Sequence, residues 1–277
     1  MNQDLSVIIG IGGIGRAIAR RTGGGSKLLL ADYQTAALDE VAEQMRGDGF
    51  SVSTQQVDVS SRSSVAAVAA AARQLGKVTR LVCTAGVAPV HANAETVLAV
   101  NLLGAAYVVE EFAEVIATGG TGVVIASNAG YLFPQDLSQE EILSLATMPA
   151  EALSKTSLVS PDRFSDPESA YGFAKQICRL RVQAAAAGRW AQQEARINSI
   201  SPGVISTPMG RAELVGKNQS LIRKLIDSSS LKRAGIAEEI ASVAAFLLGP
   251  ESSFITGSDI LADGGAVAAI KIGHFRA

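Results

Sequence analysis

The sequence predicts an α/β protein: one domain built on a doubly wound, mostly parallel sheet of seven strands. Three observations carry that prediction. Short apolar runs rich in β-branched residues alternate with helical stretches along the chain, the pattern of parallel strands joined by right-handed crossovers. A glycine-rich turn, Gly10-Ile11-Gly12-Gly13-Ile14-Gly15, joins the first strand to the first helix. Polar residues recur where the strands end, and in such sheets a ligand lies beyond the strands' carboxyl ends.

Leu5 to Ile9 reads as a buried strand and Arg16 to Arg21 as the helix after the glycine turn. Lys27 to Ala31 is a second strand, with Asp32 at its end. Thr35 to Arg46 is helical, and Ser51 to Val57 alternates as a third strand ending in Asp58. Ser60 is placed to cap an Ala-rich helix that ends near Leu75. Arg80 to Cys83 is a fourth strand, followed by Thr84-Ala85-Gly86. Glu95 to Thr118 reads as one long helix containing Asn101, and Gly122 to Ala126 as a fifth strand ending at Ser127.

The alternation is interrupted from Tyr131 to Ser165, a segment expected to hold one or two short helices. Ser138 and Glu141 have capping-box spacing, and Ser165 and Glu168 repeat it ahead of a helix that runs to about Ala187. Arg196 to Ile200 is a sixth strand, closed by Ser201-Pro202-Gly203. Met209 to Ser229 reads as a partly helical excursion, Ala237 to Leu248 as a helix, and Ser258 to Ala262 as the last strand. No internal repeat or linker divides the chain, so residues 1–277 are read as one domain.

With 277 residues, 48% hydrophobic and 18% charged, the chain can bury a sizeable core. A formal net charge of -2 and the lack of a basic stripe argue against a nucleic-acid partner. Met1 to Ser6 show no signal-peptide pattern, and no uninterrupted apolar run is long enough to span a bilayer. Cys83 and Cys178 form no CxxC spacing, which suggests a reducing compartment, hence a cytoplasmic protein without membrane partners. His91 and His274 build no metal motif and are expected at the surface, and no metal site is expected.

Strand, G-x-G-x-x-G and helix in succession form the dinucleotide-binding context. The glycines allow a tight turn and let backbone approach a pyrophosphate at the helix N-terminus. Asp32 can accept hydrogen bonds from the adenosine ribose and would repel a 2′-phosphate, so NAD is expected over NADP. The blander reading of Asp32 is a turn or cap residue. Tyr171 and Lys175 stand four apart in a helical stretch, hence on one helix face. An ammonium beside a phenol favours the phenolate, which suits proton exchange near neutral pH.

Asn101, Ser127, Tyr171 and Lys175 match, in order and context, the catalytic tetrad of the short-chain dehydrogenase/reductase family, which the chain resembles over nearly its whole length. Asp58-Val59 resembles the family's adenine-contacting pair. Pro202-Gly203-Val204-Ile205-Ser206-Thr207 resembles its cofactor-closing turn, and Asp263-Gly264-Gly265 its C-terminal signature. The resemblance implies a Rossmann fold. It implies NAD held by Gly10, Gly12, Gly13, Ile14, Gly15, Asp32, Asp58, Val59, Thr84, Ala85 and Gly86. Tyr171, Lys175, Pro202, Gly203, Val204 and Thr207 complete that set. It further implies a homodimer or homotetramer acting on a small alcohol or ketone.

The chain departs from the family pattern in its glycine loop, where Ile9 replaces a threonine and two residues rather than three separate Gly10 from Gly13. It departs again after the fourth strand, where the family's asparagine-rich turn appears as Cys83-Thr84-Ala85-Gly86 and Thr84 supplies a hydroxyl but no amide. The Tyr131–Ser165 insert and the tail beyond Gly265 resemble the bacterial 3α-hydroxysteroid dehydrogenase/carbonyl reductase branch. In the implied mechanism Ser127 donates to a carbonyl oxygen and Tyr171 delivers a proton. Lys175 supports Tyr171 and the nicotinamide ribose, and Asn101 holds a water that links Lys175 to solvent. The insert, with its many large apolar residues, and Met209–Ser229 are expected to cover a bulky apolar substrate together; the alternative for the insert is a subunit interface. The rival reading from another class is a non-catalytic NAD-binding regulator on the same scaffold.

Overall fold

The computed structural model describes residues 3–215 and 219–273. His274 and the Gly216-Lys217-Asn218 part of the Met209–Ser229 excursion lie outside the described residues. Seven strands form one sheet in the order β3-β2-β1-β4-β5-β6-β7. Every neighbouring pair is parallel.

β1 (Asp4–Ile9) leads through the glycine turn into α1 (Gly13–Thr22). β2 (Lys27–Asp32), α2 (Thr35–Gly47), β3 (Ser51–Gln56), α3 (Arg62–Leu75) and β4 (Lys77–Cys83) complete the first half. The cap of α3 is Ser61 rather than Ser60: its hydroxyl accepts from the Ser64 N–H. The Ser60 hydroxyl is spent on Asp58, 2.6 Å away.

The next helical stretch is not one long helix to Thr118. α4 (Ala94–Val97) passes through a π-helical turn, Leu98–Gly104, into α5 (Ala105–Ala113), and β5 (Ile116–Ile125) already contains Ile116 to Thr118. Asn101 sits inside the π turn, where its Nδ2 donates to the Val97 carbonyl at 3.2 Å. That carbonyl would otherwise serve the i→i−4 ladder, and such competition loosens a helix locally. Continuous helical backbone from Ala94 to Ala113 is long and apolar enough to cross a membrane by length and composition, although Glu95, Asn101, Glu110 and Glu111 interrupt its apolar residues. It is instead mostly buried inside the domain.

After β5 come α6 (Ala129–Leu132), α7 (Gln139–Thr147) and α8 (Ala150–Leu153). The Ser138 capping box forms in full. α9 (Pro167–Ala187) carries Tyr171 and Lys175 and is capped by Asp166, not by Ser165: Asp166 accepts the Ser169 N–H at 2.7 Å. α10 (Arg189–Gln192) and β6 (Arg196–Pro202) follow. The excursion resolves into α11 (Pro208–Glu213) and α12 (Gln219–Ser228), ahead of α13 (Ala237–Leu248), β7 (Asp259–Ala262) and α14 (Ala266–Lys271).

Two cores sandwich the sheet, because alternate strand residues face opposite sides. Leu5, Val7 and Ile9 pack with α3, α5 and α9, whereas Ile8 packs with α1, α2 and α13. Both faces are thus covered, as an all-parallel sheet requires. Cys83 and Cys178 are buried free thiols, and burial pushes the Cys83 thiol up to about 12. His91 is exposed.

Candidate active site

The glycine turn is shaped by two contacts. Gly10 has φ +94°, a backbone region that side chains rarely adopt. A Cβ on Gly15 would lie 1.9 Å from the Gly10 carbonyl oxygen, so only glycine lets α1 start this close to β1. The Thr84 hydroxyl donates to that same oxygen at 2.8 Å. Thr84 thus performs a structural task with the hydroxyl alone. Gly12 differs: a Cβ there would meet nothing within 4 Å, and Gly12 is exposed on the cavity wall.

Asp32 serves the turn directly. Its carboxylate accepts the Ile11 N–H at 2.6 Å and the Gln34 N–H at 3.0 Å. The turn role foreseen for Asp32 is thus the one observed. Two of the three α1 arginines are engaged elsewhere, Arg16 with Gln44 and Arg20 with Asp48.

A cavity of about 990 Å³ opens at the carboxyl ends of the strands. Gly12, Gly13 and Ile14 line it, as do Thr84, Gly86 and Asn101. Ser127, Tyr171 and Lys175 reach it from β5 and α9, and Pro202, Gly203, Val204 and Thr207 close one side. Gly10, Gly15, Asp32, Asp58, Val59 and Ala85 are not on its wall. Gly10 and Gly15 shape the loop from behind. The Asp58 carboxylate is held locally by Ser60, and Val59 packs where Gly104 leaves room.

Four side chains carry the proposed chemistry. Ser127 is 8% exposed, and its oxygen accepts the Ala129 N–H at 3.1 Å, which leaves its proton free to donate. Lys175 is buried, donates to the Ile125 carbonyl at 3.0 Å, and lies 5.6 Å from the Tyr171 ring centroid. Asn101 is buried and its carboxamide pairs with the Val87 backbone on both sides, N–H at 3.3 Å and carbonyl at 3.1 Å. Its side chain therefore anchors the 84–87 turn. A Cβ on Gly86 would come within 2.7 Å of the Asn101 Oδ1 and 3.7 Å of the Lys175 Nζ, so the turn passes close over both. Tyr131, a competing phenol nearby in sequence, donates to Asp259 at 2.7 Å, and burial followed by that bond pushes its ionisation up.

Thr207 caps α11, accepting the Gly210 N–H at 3.2 Å, and its γ-methyl stands 2.7 Å from where a Gly13 Cβ would be. The closing turn thus rests on the glycine loop. Gly203 likewise leaves room for Asp263, which accepts from Gly265 and Val267.

The insert divides its apolar residues. Leu132 and Phe133 line the cavity, with Met209, Leu221, Ile222 and Leu225 opposite. Leu145 is fully buried in the core, Leu137 and Met148 pack against it, and Leu143 is exposed. Not all the large apolar groups of the insert therefore cover the cavity. Gln176, next to Lys175, pins the first part of the insert with two bonds to the Gln135 backbone, at 2.9 and 3.2 Å. Gly172 leaves room for Phe133, since a Cβ there would sit 2.8 Å from the Phe133 carbonyl oxygen. Sequence reasoning missed Gln176, Gly172 and Asn128; it placed Met209–Ser229 over the substrate without naming Leu221, Ile222 and Leu225, whose apolar spacing was the available signal.

The donor set fits a dinucleotide. The first-turn N–H groups of α1 have no partner within the helix, and Gly12 leaves its backbone open to an anionic ligand. Among the described residues no cluster of three or more His, Cys, Asp or Glu side chains is arranged to hold a metal ion.

Two family profiles divide the chain. One described as short chain dehydrogenase matches residues 5–136, and one described as enoyl-(acyl carrier protein) reductase matches residues 140–267. A short-chain dehydrogenase/reductase of Alternaria brassicicola is 47% identical over 269 residues, covering 97% of each chain. A galactitol 2-dehydrogenase (L-tagatose-forming) of Cereibacter sphaeroides is 29% identical over 91% of this chain and 90% of that one. Among solved structures, a short-chain dehydrogenase/reductase of Brucella melitensis described as glucose/ribitol dehydrogenase superposes with TM-score 0.72 at 28% identity, covering 96% of both chains.

Proposed function

We infer, from the premise that this chain belongs to the short-chain dehydrogenase/reductase family and is an oxidoreductase, that it interconverts a secondary alcohol and a ketone with NAD(H). The family uses NAD(H) or NADP(H). The substrate is bulky and apolar, of the hydroxysteroid or carbonyl type. One observation carries the reading: Ser127, Tyr171 and Lys175 line the same cavity as the open Gly12 face of the glycine loop.

A bound nicotinamide dinucleotide supplies or accepts the hydride. Gly12, Gly13 and Ile14 would hold its phosphates and Asp32 its adenosine ribose, with Thr207 and Pro202-Gly203-Val204 beside the nicotinamide. Asp58, Val59 and Ala85, off the cavity wall, are proposed to shape the adenine end.

The protein's own steps concern the carbonyl oxygen. As negative charge grows there, the free proton of Ser127 donates a hydrogen bond and the Tyr171 phenol delivers its proton. Lys175, held by the Ile125 carbonyl, places its ammonium beside the Tyr171 ring, 5.6 Å from the centroid. Asn101 supports this pair through the Val87 turn.

NAD(H) is favoured because the Asp32 carboxylate is fixed by two backbone N–H groups while Arg16 and Arg20 are engaged with other residues. The apolar wall built by Leu132, Phe133, Met209, Leu221, Ile222 and Leu225 favours a bulky apolar substrate. Family members are usually oligomeric, and a homodimer or homotetramer is proposed. The test is a panel of ketones and alcohols, steroids included, assayed with each cofactor for net change in nicotinamide absorbance. Binding of the dinucleotide without turnover of any substrate would refute the catalytic reading.

A further inference from the structure

Helix α9 carries two neighbouring stripes. Tyr171 and Lys175 stand four residues apart on one, and Gly172 and Gln176, each one residue further on, make the next. The second stripe receives α6 and the start of the insert. A Cβ on Gly130 would lie 2.7 Å from the Gln176 backbone nitrogen. A Cβ on Gly172 would lie 2.8 Å from the Phe133 carbonyl oxygen and 3.0 Å from the Phe133 Cβ. The two helices therefore meet with no side chain between their backbones at these points.

Pro134 stops α6, because proline disfavours helical backbone at the residue before it. Residues 134–137 then join no backbone–backbone hydrogen bond among the described residues. Yet Leu132, Phe133, Pro134 and Gln135 all line the cavity, and Phe133 is 44% exposed. A stretch without backbone pairing of its own needs another anchor to keep one position. Gln176 is that anchor. Its Oε1 accepts the Gln135 N–H at 2.9 Å, and its Nε2 donates to the Gln135 carbonyl at 3.2 Å. One side-chain amide thus takes both backbone groups of one residue, as a paired strand would.

We propose that Gln176 is a positioning residue for substrate specificity: it fixes the 132–135 wall to the helix that carries Tyr171, so that the apolar group flanking the reacting carbonyl is selected at a set distance from the proton donor. The inference rests on the alcohol–ketone reading above. The amide of Gln176 is spent on the Gln135 backbone, so it acts through the wall and not on the substrate. The opposite wall, Met209, Leu221, Ile222 and Leu225, stands on α11 and α12, which carry none of Asn101, Ser127, Tyr171 and Lys175. The 132–135 side is the one attached to the helix of Tyr171. Leucine, phenylalanine and proline on that side take an apolar group, and an aryl ring suits the ring of Phe133.

The experiment compares acetophenone with 2-acetonaphthalene, two methyl aryl ketones that differ by one fused ring. Wild type, Gln176→Leu, Phe133→Ala and the double variant are assayed for kcat and KM, and the dissociation constant for NADH is measured for each. Comparing the naphthyl/phenyl ratio of kcat/KM between proteins cancels the intrinsic reactivity of the two ketones. The expected result is a fall in that ratio of roughly ten-fold in each single variant, through KM for 2-acetonaphthalene, with NADH affinity retained. Because Gln176 acts through the wall, the double variant falls no further than the larger single effect. An unchanged ratio in Gln176→Leu overturns the inference. So does a fall in the double variant equal to the product of the two single falls, which makes the residues independent. So does an equal loss of kcat with both ketones and weaker NADH binding, which leaves Gln176 only a packing role in α9. If Gln176→Leu does not fold, Gln176→Glu keeps an acceptor for the Gln135 N–H but not the donor to its carbonyl, and an unchanged ratio there overturns the inference equally. If neither folds, Phe133→Ala decides by the same ratio. Absence of wild-type turnover with both ketones and both cofactors removes the underlying reading as well, whereas turnover with an unchanged ratio removes this inference alone.

Discussion

Two glycines three residues apart in one loop should respond to alanine in opposite ways. At Gly15 the added Cβ would lie 1.9 Å from the Gly10 carbonyl oxygen and 2.8 Å from the Thr84 hydroxyl. Real Cβ atoms keep at least 3.0 Å, and the oxygen it meets is backbone already held by Thr84. Helix α1 must therefore lift from β1. Overpacking typically costs ~1–3 kcal/mol and sometimes more; at the upper end, about 3 kcal/mol, a domain of this size loses roughly 6–12 °C in Tm. At Gly12 the Cβ meets nothing within 4 Å, and φ −67° with ψ −173° suits any residue. The weaker helix cap and the smaller unfolded-state entropy offset one another to within about 1 kcal/mol. The new methyl instead occupies the face proposed to meet the dinucleotide phosphates. A steric cost of ~1–3 kcal/mol there raises the Kd for NADH about 5- to 150-fold. Thermal melts and fluorescence titration with NADH measure both variants. Wild-type NADH affinity in Gly12→Ala would refute the proposed phosphate position, and a wild-type Tm in Gly15→Ala would refute the close helix–strand contact.

Other changes address the rest of the site. Tyr171→Phe should abolish turnover while NADH affinity stays near wild type; activity above about a tenth of wild type would sink the proton-donor assignment, since such groups contribute ~10²–10⁴-fold. Wild-type kcat/KM should favour NAD over NADP, and Asp32→Ala should narrow the gap. The same variant leaves the buried Ile11 N–H without its acceptor, at a cost of ~1–3 kcal/mol in stability; equal use of both cofactors by the wild type would show that Asp32 does not select. Shortening the 131–165 insert should raise KM for bulky ketones and spare NADH binding. If the oligomer splits while every KM holds, the insert is an interface element and the bulky-substrate reading loses its support.

The alternation of strands and helices was legible in the sequence, because strand and helix periods and glycine turns are local properties. Helix Ala237–Leu248 and the end of α9 at Ala187 fell where the pattern put them. The Tyr171/Lys175 pair and the glycine loop were legible for the same reason: spacing along one helix or one turn is written in consecutive residues. Caps were less legible. Ser61 and Asp166 displaced Ser60 and Ser165 by one residue, because adjacent polar residues compete for one N–H and backbone direction selects the winner. The break of the Asn101 helix was hidden too, since it depends on where the carboxamide finds carbonyls. What tertiary structure alone decided were contacts between distant segments: Thr84 on Gly10, Phe133 over Gly172, Thr207 against Gly13, and α12 across the cavity from Leu132. These depend on how closely two layers approach. That distance is set by the summed packing of many side chains on both faces of the sheet, which no local period encodes.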